Sequence, residues 1–190
     1  MAKNEDMLAL MVRSLFHMPL RVLTYNVNFA LARRGRDSNA QNVINAIKES
    51  NADVVALQET HAGFEKLLRE DFSESYPYQL YHHDARGGAG GQAFLSKLGF
   101  GQKDVIHVQE EIEGSWFPVH VVDVLLPGDA TQNGTEKLRL INVHLRPPVN
   151  PDGSAHILTA RNTNKFRLAE VKRIAEHFQW HKKPELPTIV

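Results

Sequence analysis

Cysteine is missing from all 190 residues, which excludes disulfides, thiolate metal sites and cysteine nucleophiles. A thiol-free chain fits a reducing compartment, and the cytoplasm is the expected location. Net charge is missing too. Lysine plus arginine and aspartate plus glutamate each total 22, so no global field draws in polyanions, and charge does not indicate nucleic acid as a partner. Long apolar runs are also lacking. The stretch at residues 7–12 is broken by Arg13 and preceded by Glu5 and Asp6, which is neither a secretory signal nor a transmembrane segment. Internal repeats, heptads and low-complexity tracts do not occur. What is present is ordinary for a globular chain, with 42% hydrophobic and 23% charged residues and a length that suits one well-buried domain and is short for two. Residues 1–19 are expected to form an N-terminal leader, with Leu8, Met11, Leu15 and Phe16 spaced as a short amphipathic helix. Residues 20–190 form the domain.

The domain reads as α+β. Residues 21–26 have the β-branched and aromatic alternation of a strand, and period two puts Asn26 and Asn28 on one face at its end. Ser38-Asn39-Ala40-Gln41 looks like a capping box opening a helix that carries Val43, Ile44 and Ile47 and ends near Asn51. Residues 54–57 are nearly all apolar, as in a strand buried on both faces, with Glu59 at its mouth. Phe64, Leu67 and Leu68 mark a short helix, and residues 76–81, 92–95 and 104–108 read as further strands. Residues 116–126 and 138–145 make the best strand pair, with Asn133-Gly134 between them as a hairpin signal. Leu138, Leu140, Asn142 and His144 then share one face. From about Thr163, residues Leu168, Val171, Ile174, Ala175 and Phe178 follow helical spacing, and residues 184–187 close that helix before a strand-like run at 188–190. Strands joined by both hairpins and helices favour a mixed sandwich over an alternating doubly wound sheet.

Three of these strands end in polar clusters: Tyr25-Asn26-Val27-Asn28, Leu57-Gln58-Glu59-Thr60 and Asn142-Val143-His144-Leu145. One carboxylate, two amides and a histidine could converge there on a cation and a phosphate. A carboxylate just beyond a buried strand is rigidly held, and magnesium, which keeps several waters, needs only one or two of them. Taken alone, Glu59 also reads as a helix N-terminal glutamate favoured by the dipole. Asn26 and Asn28 offer neutral donors and acceptors for a phosphate or a metal-bound water, and asparagine equally ends strands in turns. His144, when protonated, could donate to a phosphate oxygen; the alternative is a satisfied core histidine. Arg146 could pair with phosphate in a charge-assisted bond or stand solvated, as could the basic knot Arg33, Arg34 and Arg36. Other features carry less. The glycine run at residues 87–91 has no following Gly-Lys-Ser/Thr and precedes a strand, so it is a hairpin or loop. His82 and His83 are adjacent in a strand and point to opposite faces. Asn133-Gly134-Thr135 fits a glycosylation sequon without secretory context.

On these residues the chain resembles the endonuclease/exonuclease/phosphatase superfamily, which includes DNase I-like nucleases, abasic-site endonucleases, sphingomyelinases, inositol polyphosphate 5-phosphatases and deadenylases. The carriers are Leu23-Thr24-Tyr25-Asn26-Val27-Asn28, Val55-Ala56-Leu57-Gln58-Glu59-Thr60, Ala93-Phe94-Leu95-Ser96-Lys97 and Leu140-Ile141-Asn142-Val143-His144-Leu145. The resemblance implies a DNase I-like two-sheet β-sandwich flanked by helices, with the site at the edge of the sheets. It implies catalytic roles for Asn26 and His144, metal binding by Glu59 and Asn28, Mg2+ as cofactor with Mn2+ as the alternative, and a phosphate-ester substrate attacked in line by water. Arg146 is carried as a phosphate contact.

One departure is large. In relatives a strand like residues 187–190 runs into a Gly-Asp-x-Asn motif, with Ser-Asp-His much later, and neither motif occurs here. The C-terminal part of the domain is therefore expected to be missing. The 190 residues alone are expected to be nearly inactive and, with core left uncovered, marginally stable. The reading is a magnesium-dependent phosphoesterase of incomplete catalytic set; the alternative is a non-catalytic phosphate-binding or scaffold protein on the same fold. Loops at residues 33–37, 81–91 and 147–162 would decide the substrate.

Overall fold

The alternation in the strands sorts into two sheets. A computed structural model describes residues 19–28, 37–84, 89–107, 117–126, 136–147, 157–180, 182 and 186–190. Its strands are β1 (Val22–Asn26), β2 (Val54–Gln58), β3 (Tyr78–His82), β4 (Gln92–Ser96), β5 (Phe100–His107), β6 (Pro118–Leu125), β7 (Lys137–Val143) and β8 (Thr188–Ile189). Its helices are α1 (Ser38–Ser50), α2 (Ala62–Phe72) and α3 (Ile157–His177). The first sheet has the order β1-β2-β4-β3, with only β1 and β2 parallel, and the second has the order β5-β6-β7-β8, with only β7 and β8 parallel.

Period two explains how these sheets stack. Val55 and Leu57 of β2 pack outward with Ile44 and Ile47 of α1 and Phe64 and Leu68 of α2. Val54, Ala56 and Phe94 point inward against Val122, Val124, Leu138 and Leu140 of the second sheet. On the far side, Val119, Val121 and Ile141 meet Ile174 of α3. β2 is buried along its whole length, as its continuous apolar run requires when both faces are covered. The result is the α+β two-sheet sandwich flanked by helices. No helix among the described residues is long and apolar enough to cross a membrane.

Several boundaries differ from the sequence reading. The cap of α1 is Asp37, one residue before Ser38, with its Oδ1 accepting from Ala40 N at 2.7 Å. β5 begins at Phe100, four residues ahead of the expected Asp104. α3 begins at Ile157, and Thr163 lies inside it, donating back to the Thr159 carbonyl at 2.8 Å. The stripe on α3 holds at Ile174, which is buried, and at Phe178 just beyond the helix, which packs beside it, but not at Leu168 and Val171, which are 61% and 40% exposed while Thr163 and Glu170 are buried. The inward face contains two polar residues, which a search for apolar periodicity passes over. The residues expected to form the leader helix, the Asn133-Gly134 turn and the basic knot at Arg33, Arg34 and Arg36 lie outside the described residues.

Candidate active site

Parallel pairing brings the ends of β1 and β2 together, with Asn26 opposite Gln58. One residue later the chain turns sharply: Glu59 has φ 61°, in the left-handed region that a residue with a Cβ rarely adopts. The turn is held by Thr60 N donating to Gly91 O at 3.0 Å. A Cβ at Gly91 would fall 1.9 Å from the Thr60 carbonyl oxygen, so glycine is needed there. Glu59 stands two residues ahead of His61, the cap of α2, and so outside the first turn of that helix.

The Glu59 carboxylate is the meeting point. Asn26 Nδ2 donates to its Oε1 at 2.8 Å, while Asn26 Oδ1 accepts from Asn28 N at 2.9 Å. Those two partners define the amide's orientation, since a carboxylate can only accept and a backbone N–H can only donate. Asn26 is thus both a turn residue and a site residue. Asn28, with φ 61°, takes the left-handed conformation that asparagine tolerates.

His144 reaches the same oxygen from the second sheet. Its Nε2 lies 3.4 Å from Glu59 Oε1, its Nδ1 lies 3.0 Å from Ala89 O, and its ring stacks on Phe117 at 4.2 Å between centroids and 10° between planes. A carbonyl oxygen can only accept, so we assign the proton to Nδ1. Nε2 is then the atom presented to the site, as a donor in the imidazolium form and as a lone pair in the neutral form.

Behind this edge lies a buried polar layer. Gln58 Nε2 donates to Thr24 Oγ1 at 3.0 Å and to Asn142 Oδ1; Asn142 Nδ2 donates to the Leu57 carbonyl at 2.8 Å. Gln92 Nε2 donates to the Pro118 carbonyl, beside Phe117.

Asn26, Glu59 and His144 are therefore brought together, with Asn28 joined to them through its backbone N, while Arg146 is engaged on α3. Its backbone N donates to Glu170 Oε2 at 3.2 Å and its guanidinium lies 5.2 Å from the Phe166 ring centre. Arg161 and Arg167 also lie on α3. His82 and His83 diverge as expected: the His82 ring sits 6.3 Å from His120 between the sheets, and His83 pairs with Glu65 of α2. The sequence reading assigned no role to Gln58, Gln92, Asn142 or Phe117. A signal for the first three existed, since each is a polar residue at an inward position of a strand whose other inward residues are mostly apolar.

The donors gathered here are a carboxylate, amide groups and one imidazole. Among the described residues no group of three or more His, Cys, Asp or Glu could enclose a metal ion. Such a set fits a hard cation that keeps most of its waters, Mg2+ or Mn2+, better than a fully protein-ligated metal.

A family model described as the endonuclease/exonuclease/phosphatase family matches residues 23–175. No curated protein sequence matches the chain. Among solved structures, it is similar to D. rerio TDP2 humanized by 14 mutations, at 15% identity and a TM-score of 0.57 over 84% of this chain and 56% of that one. It is similar also to a functionally unknown conserved protein from Enterococcus faecalis V583, at 19% identity and a TM-score of 0.56 over 84% of this chain and 61% of that one. A third likeness is to D. rerio TDP2 complexed with single strand DNA product, at 18% identity and a TM-score of 0.50 over 83% of this chain and 55% of that one. The chain thus spans little more than half the length of these structures, and the likeness is one of fold.

Proposed function

The chain belongs to the endonuclease/exonuclease/phosphatase family, and from that premise we propose that its site is the cation- and phosphate-binding part of a divalent-cation-dependent phosphoesterase. The observation that carries this reading is the convergence of Asn26, Glu59 and His144, from three strand ends and two sheets, on one carboxylate oxygen. Glu59, with Asn28, would hold Mg2+ or Mn2+. When bound, that cation would polarise a phosphoryl oxygen and neutralise charge during in-line attack by water. Asn26 orients the Glu59 carboxylate and keeps it from rotating out of the site. His144 presents Nε2 to a phosphate oxygen, with the ring plane set by Phe117 and the tautomer set by Ala89 O. Arg146, two residues on, is a further phosphate contact if its guanidinium leaves Phe166.

Activation of water needs a base besides Glu59 and His144, both of which this reading commits to ligand binding. We therefore expect hydrolysis by the 190 residues alone to be slow. The same residues binding phosphate without turnover constitute the second reading, a non-catalytic phosphate-binding protein. With a formal net charge of zero, no preference for single-stranded DNA over a small phosphodiester is expected.

Calorimetric titration with Mn2+ and then inorganic phosphate tests the proposal, alongside hydrolysis of bis(p-nitrophenyl) phosphate. One Mn2+ should bind and be lost in Glu59→Ala, phosphate affinity should fall in His144→Ala, and turnover should be slow. Fast turnover abolished by Glu59→Ala would replace the slow-hydrolysis reading with a complete enzyme. Absence of both Mn2+ and phosphate binding would overturn the site.

A further inference from the structure

We propose that Gln58, Gln92 and Asn142 are positioning residues: a polar clamp that sets the register of the two sheets at the end where Glu59 and His144 meet. The inference rests on the reading that these two side chains act on one ligand.

Glu59 belongs to the first sheet and His144 to the second, so their 3.4 Å separation is fixed only as well as one sheet is fixed against the other. Apolar contact between sheets is non-directional; it favours burial and tolerates small slides. Directional bonds do not. Asn142 uses both ends of its amide on the first sheet, accepting from Gln58 Nε2 and donating to the Leu57 carbonyl. The bonded residues are the sequence neighbours of the site: Leu57 and Gln58 immediately precede Glu59, and Asn142 stands two residues before His144 on the same face of its strand. Gln92, opposite Gln58 on β4, makes the third bond, to the Pro118 carbonyl. Pro118 follows Phe117, whose ring stacks on His144. The three amides thereby tie to the first sheet both the strand that leads to His144 and the residue that follows Phe117.

Stability does not account for these residues. Gln92 is fully buried, and its Oε1 has no hydrogen-bond partner among the described residues; an unpaired buried acceptor disfavours folding. Replacing two bonded polar partners by apolar groups of similar shape is often neutral or favourable for stability. What such a replacement removes is direction.

Distance measurement in the cysteine-free chain tests this. Spin labels at Lys66→Cys on α2 and Lys172→Cys on α3, both side chains 78% exposed, report on the two sheets through their outer helices. In Gln58→Leu/Asn142→Leu the melting temperature should stay close to the parent's, the inter-label distance distribution should broaden or shift, and Mn2+ affinity should fall about tenfold or more, as for other groups that orient metal ligands. Unchanged distances together with unchanged Mn2+ affinity would overturn the clamp. If the parent chain binds no Mn2+, the functional reading fails while the distance distribution still decides the clamp. Should the double variant not fold, Gln92→Leu decides by NMR: a shift of the His144 ring protons, as Phe117 loosens its stacking, supports the clamp, and an unshifted ring contradicts it.

Discussion

Between the sheets, the same strands carry two different chemistries. At one end Val54, Ala56, Phe94, Val122, Val124, Leu138 and Leu140 make a closed apolar cluster. At the other, two residues further along the same alternation, Gln58, Gln92 and Asn142 are just as buried but bonded to one another, to backbone carbonyls or to Thr24. Burial at the first end supplies free energy without direction. Burial at the second supplies direction at little net gain, and the three converging site residues stand on its rim. Stability and geometry are thus separated along one layer.

The largest effect should come from the apolar end. Phe94→Ala, at a fully buried position, should lower the unfolding free energy by about 3–5 kcal/mol, read by urea denaturation, without altering the ligand preference of whatever folded protein remains. Next, Asn142→Leu alone should cost about 1–3 kcal/mol because Gln58 and the Leu57 carbonyl lose a buried partner, and adding Gln58→Leu should recover most of it. A loss at Asn142 that no second substitution recovers would break the contrast between the ends. Smaller still, Glu59→Gly should stabilise by about 1 kcal/mol while abolishing cation binding, since the left-handed backbone costs a residue with a Cβ about 1–2 kcal/mol and glycine's added chain entropy offsets part of the relief.

The smallest effect lies away from both ends. Burial pushes the Glu65 carboxyl up, but hydrogen bonds and charge from Arg69 and His83 outweigh it and hold the group below its ordinary value of 4.5. A carboxyl depressed in the folded state favours folding above its unfolded value, and that contribution disappears as pH falls through the folded value. Glu65→Gln should therefore flatten the acid limb of the stability profile below pH 4.5 and leave cation binding unchanged.

Much of this architecture is legible in the residues themselves. The inward set Leu138, Leu140, Asn142 and His144 follows from period two, and the all-apolar β2 announces coverage on both faces. The convergence of Asn26, Glu59 and His144 follows from strand-end position together with family resemblance. Two things were not legible. The inward stripe of α3 includes Thr163 and Glu170, so hydrophobic periodicity finds Ile174 and Phe178 but substitutes the exposed Leu168 and Val171 for these two polar residues. The pairing in the clamp is hidden for a different reason: each amide shows as a polar residue at an inward strand position, but Gln58 and Asn142 lie 84 residues apart, and nothing joins them until the sheets are stacked. Arg146 shows the reverse, a residue whose chemistry suits phosphate and whose side chain rests on Phe166 of α3.

The central claim is that the polar end gathers Asn26, Asn28, Glu59 and His144 around one cation. Paramagnetic broadening by substoichiometric Mn2+, mapped on the assigned NMR spectrum of the 190-residue chain, tests it most directly. The account predicts broadening confined to those four residues and their immediate neighbours, with Phe94 and Val122 left sharp and the effect lost in Glu59→Ala. Broadening centred elsewhere, or none at all, would contradict it.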